Sequence, residues 1–285
     1  VAAEMGHFSE NEQGEIWRNQ VEDNHKYGKI SSLPELSLAV KNPAVPSLMG
    51  EVMSLAEDGP KAANHSDQIG IEFLSLVRSG FEDSSRIQSL RKGEPVLFAG
   101  IAGHYHHYSR RAGLSPYGMM NGWMAWYQGK VMPPRKGRYR FWGVADNHLL
   151  VAIDGKPIFE GGRMDSAFRR ELGIKRLNNP CYPFMNIKGG MACSEWFSVD
   201  DKPIQMDILF GERDNYHTRG LLLIEREGET YEESYWGQPL WPVFLTEWPS
   251  LQRQMEFSKL QYYLQREMNG AFSINENEVW QVSRD

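Results

Sequence analysis

The chain has 285 residues, a formal net charge of −6 and 41% hydrophobic residues, which is enough apolar material for a globular core. The negative charge and the lack of any basic run of five residues argue against a nucleic-acid-binding protein. No apolar stretch approaches the roughly 18 residues that a membrane-spanning helix needs. The beginning, VAAEMGHFSENEQ, has no signal-peptide layout, and we interpret it as the start of a processed or truncated product that lacks an upstream signal or anchor.

The first part of the chain, residues 1–66, is polar and irregular and is interrupted by several prolines. We interpret it as an N-terminal arm, extended or with short helices, in which Pro46 to Ala56 forms one or two helical turns. From Gln68 onward Ile69, Ile71 and Phe73 alternate with other residues, which predicts a strand that opens the main domain, residues 67–248.

The segment Gly137 to Gly155, GRYRFWGVADNHLLVAIDG, reads as a strand, a polar turn and a second strand, and Asp154-Gly155 is a dipeptide suited to a tight hairpin turn. Alternating apolar residues predict further strands at Trp123–Val131, Ile204–Phe210 and Leu221–Glu225. Many short strands joined by Gly- and Pro-bearing turns predict a mainly β fold, an antiparallel β-sandwich.

Residues 249–285 form the third predicted region, a C-terminal helical extension. Ser250 is a candidate helix cap, and Asn269-Gly270 is a natural stop. One helical face carries the apolar residues Phe257, Leu260, Leu264 and Met268, and a second stripe carries Leu251, Met255 and Tyr262. Two interpretations remain open for this helix: docking onto the sandwich alone, or an additional partner surface for self-association.

Three segments in order along the chain resemble the protective-antigen-type β-sandwich family, named for the anthrax toxin component and also found in yeast adhesins and bacterial glycosidases. ADNHLLVAIDG, residues 145–155, is similar to the family's hallmark of paired acids followed by an apolar strand and Ile-Asp-Gly. GRYRFWG before it, and PIQMDILFGERDNYHTRGLLLIE near 202–225, are similar to neighbouring strands of that family. The resemblance covers about 69–245, with 78–120 and 160–195 unaligned.

The resemblance implies a binding site at the turn after the first strand of the hallmark. In sugar-binding members the paired acids hold a calcium ion that bridges to carbohydrate hydroxyls. Asp146 matches the first acid, Asn147 replaces the second, and Asp214 and Asn215 on a later loop are the implied further contributors. An Asn supplies an oxygen without charge, which weakens a calcium site. The alternative is that Asp146 and Asn147 only hydrogen-bond their own turn.

The other candidate ligand contacts near this turn are His148 and Trp142, the latter as a surface for sugar rings if it is exposed. Trp123, Trp126 and Trp236 could serve in the same way, although burial in the core is the more common fate of such residues.

Cys181 and Cys193 lie twelve positions apart and are either a disulfide of an exported protein or two separate buried thiols. The cluster His104, His106 and His107 could share a transition metal on a strand, but Arg110-Arg111 follows it and solvated loop histidines are the favoured interpretation.

These observations predict a non-catalytic, exported binding module that recognises a glycan or a cell-surface polymer. The alternative is a structural or assembly protein of the cell envelope that uses the same fold as a scaffold. An enzyme ranks last, because no residue pattern selects a catalytic group: there is no phosphate-binding Gly-rich loop, no Gly-x-Ser-x-Gly and no recognisable glycosidase pair.

Overall fold

A computed structural model of the chain describes residues 47–55, 68–82, 90–105, 122–162, 166–174, 177–179, 190–213, 218–235, 237–267 and 272–283. Within these ranges the secondary structure is dominated by short antiparallel strands, accompanied by one short 3₁₀ helix and three α-helices: α1 Gln68–Arg78, α2 Ser166–Leu172 and α3 Leu251–Glu267.

The first sheet is built from β1 Met49–Leu55, β2 Leu90–Leu97, β4 Trp123–Met132, β6 His148–Ile153, β7 Lys156–Glu160, β11 Ile204–Glu212 and β13 Gln281–Val282. Its order is β2-β1-β4-β11-β6-β7, and β13 pairs with β4. All of its pairings are antiparallel.

The second sheet is built from β3 Ala102–Tyr105, β5 Gly137–Ala145, β8 Leu177–Asn179, β9 Met191–Cys193, β10 Phe197–Val199 and β12 Thr218–Arg226. Its order is β3-β12-β5-β9-β8, and β10 pairs with β5. The pairings are again antiparallel, so the predicted antiparallel β-sandwich is confirmed.

The main core lies between the two sheets and follows from the alternation of side chains along each strand. On β4, Trp123, Ala125 and Tyr127 point inward and pack in one cluster with Phe141 of β5 and other buried residues. The intervening residues of β4 belong to a second cluster on the outer face. Because both faces of this sheet are covered, its central strands are buried along most of their length.

A helix, α1 (Gln68–Arg78), covers the outer face of the first sheet, so the strand predicted after Gln68 is wrong. Ile69, Phe73 and Leu76 stand one helical turn apart and are buried against the outer-face cluster. Ile71, which a strand would have placed on the same face as Ile69, is 43% exposed. The sequence shows both periodicities here, and the packing selects the helical one.

The helical turns predicted between Pro46 and Ala56 are also wrong, because this piece contains β1. β1 pairs with β2 on one side and β4 on the other, so hydrogen bonds with two neighbours hold its backbone in the extended form. Val52 is buried in the core between the sheets, and Met53 in the outer-face cluster. The strand lies inside the predicted arm 1–66, and residues 1–46 and 56–66 lie outside the described residues.

The predicted C-terminal helix is present as α3, Leu251–Glu267, and the Arg253 backbone amide donates to Ser250 Oγ at 3.3 Å, as expected of a helix cap. Phe257 and Leu260 are buried on the outer face of the second sheet. Leu251 is 72% exposed and Met255 54% exposed. The side chains of Tyr262 and Leu264, and residues 268–271 with the predicted stop, lie outside the described part.

The segment after α3 returns to the sandwich and completes its core. The short 3₁₀ helix Glu276–Glu278 precedes Trp280, whose side chain is fully buried between the sheets. The Trp280 ring lies 5.1 Å from that of Tyr139 and 5.7 Å from that of Phe244. β13 follows directly and pairs with the end of β4.

Candidate functional site

The segment Gly137–Gly155 forms the predicted strand, turn and strand, with β5 in the second sheet and β6 in the first. The closing turn joins β6 to β7 through Asp154 and Gly155, whose φ angles are 49° and 73°. Two successive positive φ angles are what a type I′ hairpin turn requires, and this explains the Asp-Gly dipeptide.

Several strands begin or end together at the other end of β6. Ala145, at the end of β5, is paired with Gly220 near the start of β12. His148, at the start of β6, is paired with Gly211 near the end of β11. Tyr105, at the end of β3, is paired with Thr218. The turn at Asp146 and Asn147 therefore lies at the same end of the sandwich as the points where the chain leaves β11 and enters β12.

A hydrogen bond joins the hallmark turn to the end of β11. The Arg213 backbone amide donates to Asn147 Oδ1 at 2.7 Å and also lies 3.0 Å from Glu212 Oε1. Asn147 and Asp146 are half-buried and Arg213 is exposed. We call the group Asp146, Asn147, Glu212 and Arg213 the corner site. Asp214 and Asn215 follow Arg213 in the sequence but lie outside the described residues.

Two glycines after β7 let the chain pass directly against the corner site. The backbone amide of Ala145 donates to Gly161 O at 2.9 Å, and the amide of Gly161 donates to Leu149 O at 2.9 Å. A Cβ atom on Gly162 would lie 2.1 Å from Asn147 O, a distance that no side chain can occupy. The backbone position of Asn147 is therefore fixed by a close approach that only glycine permits.

Glu212, Arg213 and Gly162 are the residues of this region that the sequence analysis did not select. Glu212 is a buried carboxylate at the end of a strand whose alternation was recognised only as far as Phe210. Arg213 contributes through its backbone amide, which has no sequence signature. Only the position of Arg213 directly before Asp214 could have drawn attention to it.

His148 and Trp142 were both candidate ligand contacts, and the structure places each of them inside the protein. The His148 side chain is buried beside the Phe73 ring of α1, at a centroid distance of 4.9 Å. The Trp142 ring is buried on the outer face of the second sheet, stacked on Trp241 at 4.2 Å and with the Arg140 guanidinium 4.8 Å from its centroid. Neither ring offers a face to a ligand, because neighbouring side chains already occupy those positions.

The other tryptophans named from the sequence follow the same rule. Trp123 and Trp126 are buried, on the inner and the outer face of β4 respectively, and Trp236 lies outside the described residues.

Among the histidines, His104 lies in β3 with its backbone opposite Arg219, while His106 and His107 lie outside the described residues. Cys193 is a free, buried thiol in β9, whereas the predicted disulfide needs it bonded to Cys181, which lies outside the described part of the chain.

The calcium prediction can be compared with the oxygen atoms of the corner site. Asp146 supplies a carboxylate and Asn147 an amide oxygen, and both are ligand types that calcium accepts. Calcium requires six to eight oxygens, and the Asn147 oxygen already accepts a backbone hydrogen bond. In the described ranges no group of three or more His, Cys, Asp or Glu residues is placed to hold a metal ion. Asp214, the remaining predicted ligand, is not described, so calcium binding stays a prediction.

A second buried carboxylate lies away from the corner site, on the outer face of the first sheet. Trp126 Nε1 donates to Asp207 Oδ1 at 2.9 Å, and Asp207 is almost fully buried. Burial raises the pKa of Asp207 from 3.8 to about 6, against the opposing effect of the hydrogen bonds from Trp126 and Gln205. Asp207 is therefore a carboxyl group whose charge the fold disfavours.

No protein-family model matches the sequence, and no curated protein matches it. Several solved structures are similar in part. One is a PA14 sugar-binding domain from an RTX adhesin, with 14% identity, a TM-score of 0.41, and 66% of this chain and 94% of that chain covered. Another is the epithelial adhesin 6 A domain from Candida glabrata in complex with Galb1-3GlcNAc, with 20% identity, a TM-score of 0.37, and coverages of 68% and 84%. At TM-scores below 0.5 these likenesses carry no argument.

Proposed function

We propose that this protein is a non-catalytic, exported binding module that recognises a glycan or a cell-surface polymer at the corner site. The observation that carries the proposal is the hydrogen bond between the Arg213 amide and Asn147 Oδ1. It joins the turn that resembles a sugar-binding hallmark to the end of β11, directly before the residues that the resemblance implies as the remaining contacts.

The chemistry of the corner site suits a ligand rich in hydroxyl groups. Asp146 provides carboxylate oxygens that accept hydrogen bonds from hydroxyls, and charge-assisted bonds of this kind are stronger than neutral ones. The site lies on turns held by a paired β-framework, which is where binding residues are commonly found. If calcium binds, Asp146, Asn147 and Asp214 are the residues that would hold it, and it would neutralise the carboxylates while coordinating ligand hydroxyls.

The test is a glycan array followed by calorimetry on a positive glycan, with and without calcium. Asn147→Ala removes the acceptor for the Arg213 amide and is expected to weaken binding about tenfold, whereas Asn147→Asp keeps an acceptor oxygen and is expected to retain binding. The control is Asp154→Gly, because Asp154 Oδ1 accepts the Gln205 amide in the same way at the opposite end of β6. Failure of the wild-type protein to bind any glycan, or equal losses in Asn147→Ala and Asp154→Gly, would contradict the proposal.

The alternative function, a structural or assembly protein of the cell envelope, is favoured by one feature of α3. Leu251 and Met255 stand one helical turn apart on α3 and are 72% and 54% exposed, and Trp248, three residues before the helix begins, is 43% exposed. Light scattering after size-exclusion chromatography would detect self-association, and Leu251→Glu with Met255→Glu should abolish it. Deletion of the whole extension is unsuitable, because Trp280 belongs to the core. A wild-type monomer at high concentration would exclude self-association through α3.

A further inference from the structure

An aromatic side chain is held far out in solvent by a short, well-bonded loop on the second sheet. Tyr235 is 87% exposed, the highest value among the large hydrophobic residues that the structure describes as exposed. It lies in a loop made of residues 231–235 and 237–241, which we call the aromatic loop. Exposed tyrosines on rigid loops are common anchors of protein–protein interfaces, because they add contact area at little cost in conformational entropy.

Backbone hydrogen bonds join the two described halves of the aromatic loop. The Ser234 amide donates to Gln238 O at 2.7 Å, and the Gly237 amide donates to Ser234 O at 2.9 Å. The Leu240 amide donates to Glu232 O at 2.7 Å, which closes the base of the turn. Gly237 has a φ of 73°, a left-handed conformation that favours glycine. The described residues on both sides of Tyr235 are thus joined by backbone hydrogen bonds.

Both ends of the aromatic loop are anchored to the second sheet. At one end the Tyr231 hydroxyl accepts a hydrogen bond from the Arg226 amide at 2.7 Å. At the other end Trp241 stacks on Trp142 at 4.2 Å with an angle of 12° between the rings. Both described ends of the loop are therefore tied to the second sheet, and Tyr235 between them is exposed.

The charged residues that precede Tyr235 in the sequence indicate what kind of partner fits. Glu227 is paired with Arg138, and Glu229 with Arg135 and Arg226. Glu232 and Glu233 come directly before the turn, are exposed, and have no ion-pair partner among the residues that the structure describes. We propose that the aromatic loop binds a basic segment of a partner protein, with an arginine or lysine over the Tyr235 ring and ion pairs to Glu232 and Glu233.

The test measures binding of a fluorescent hexa-arginine peptide by anisotropy. Glu232→Gln with Glu233→Gln is expected to weaken binding about three- to tenfold, by loss of two exposed ion pairs. Asp200→Asn with Asp201→Asn is the matched control, since it removes the same charge from an exposed turn elsewhere and should change binding less than twofold. Tyr235→Ala should weaken binding about two- to fivefold, while Tyr235→Phe keeps the ring and should retain it.

Three results would overturn the inference. The first is an equal loss in the two double variants, which would show that the peptide responds only to net charge. The second is unchanged binding by Tyr235→Ala. The third is the absence of peptide binding by the wild-type protein. This result would overturn the inference also if Tyr235→Ala lowered the signal on a glycan array, because the ring would then contact a glycan. None of these results bears on the corner site, whose own test uses Asn147.

Discussion

Replacing Asp207 by Asn should stabilise the protein at neutral pH, by an amount that depends on pH. The raised pKa means that the folded state disfavours the charged carboxylate relative to the unfolded chain. The resulting loss in the free energy of unfolding is absent below pH 3.8, grows as the pH rises, and is complete above about pH 6. The amide of Asn keeps an oxygen that can accept from Trp126 Nε1 but carries no charge, so the cost disappears.

The magnitude follows from the two pKa values. The rise from 3.8 to about 6 corresponds to about 3 kcal/mol when the group is fully ionised, at about 1.36 kcal/mol per pH unit. About half of this, roughly 1.4 kcal/mol, develops between pH 5 and pH 8 by the linkage relation. The free energy of unfolding of Asp207→Asn should therefore exceed that of the wild-type protein by about 1.4 kcal/mol more at pH 8 than at pH 5.

The assay is urea denaturation of both proteins at pH 5 and pH 8, followed by tryptophan fluorescence. Asp201→Asn is the control, because Asp201 is exposed and its carboxylate stays in water in both states. The reasoning would be refuted if the difference in the free energy of unfolding between Asp207→Asn and the wild-type protein did not change with pH. It would also be refuted if that difference became smaller from pH 5 to pH 8.

Two further substitutions test the core and the corner site. Trp280→Ala empties a fully buried position and should lower the free energy of unfolding by about 3–5 kcal/mol in urea denaturation, against less than about 0.5 kcal/mol for exposed Trp248→Ala. Equal effects would mean that the end of the chain does not fill the core. Gly162→Ala should displace Asn147 and abolish glycan binding, whereas Gly228→Ala, which meets only open space, should cost about 1 kcal/mol of stability and leave binding intact. Normal binding by Gly162→Ala would refute the close approach.

The sequence was most informative where local patterns and long-range packing agree. In Gly137–Gly155 the alternation predicts two strands, and Asp154-Gly155 predicts a hairpin turn. The structure confirms the strands as β5 and β6, which lie in different sheets, and the turn as the link from β6 to β7. After Gln68 the patterns conflict, since Ile69 and Phe73 satisfy both a two-residue and a four-residue spacing. Only contact with the outer face of the first sheet decides between them.

The turn at Asp146 and Asn147 was predictable from the sequence, but its contacts were not. The resemblance located Asp146 and Asn147, but the backbone amide of Arg213 that bonds to Asn147 carries no signal in the sequence. Trp142 was misjudged for a related reason. Its ring is covered by Trp241, a residue 99 positions away, and such a contact exists only once the sheet has formed.

The placement of Trp280 has a consequence for biosynthesis. A chain is made from its N-terminus, and the strands that border the position of Trp280 are made before it. Until residue 282 has left the ribosome, the two sheets lack both a central aromatic ring and the strand that pairs with the end of β4. The core of the sandwich therefore cannot be completed before that point, and some apolar surface stays exposed to solvent. Chaperones that bind during that interval would protect the chain from aggregation.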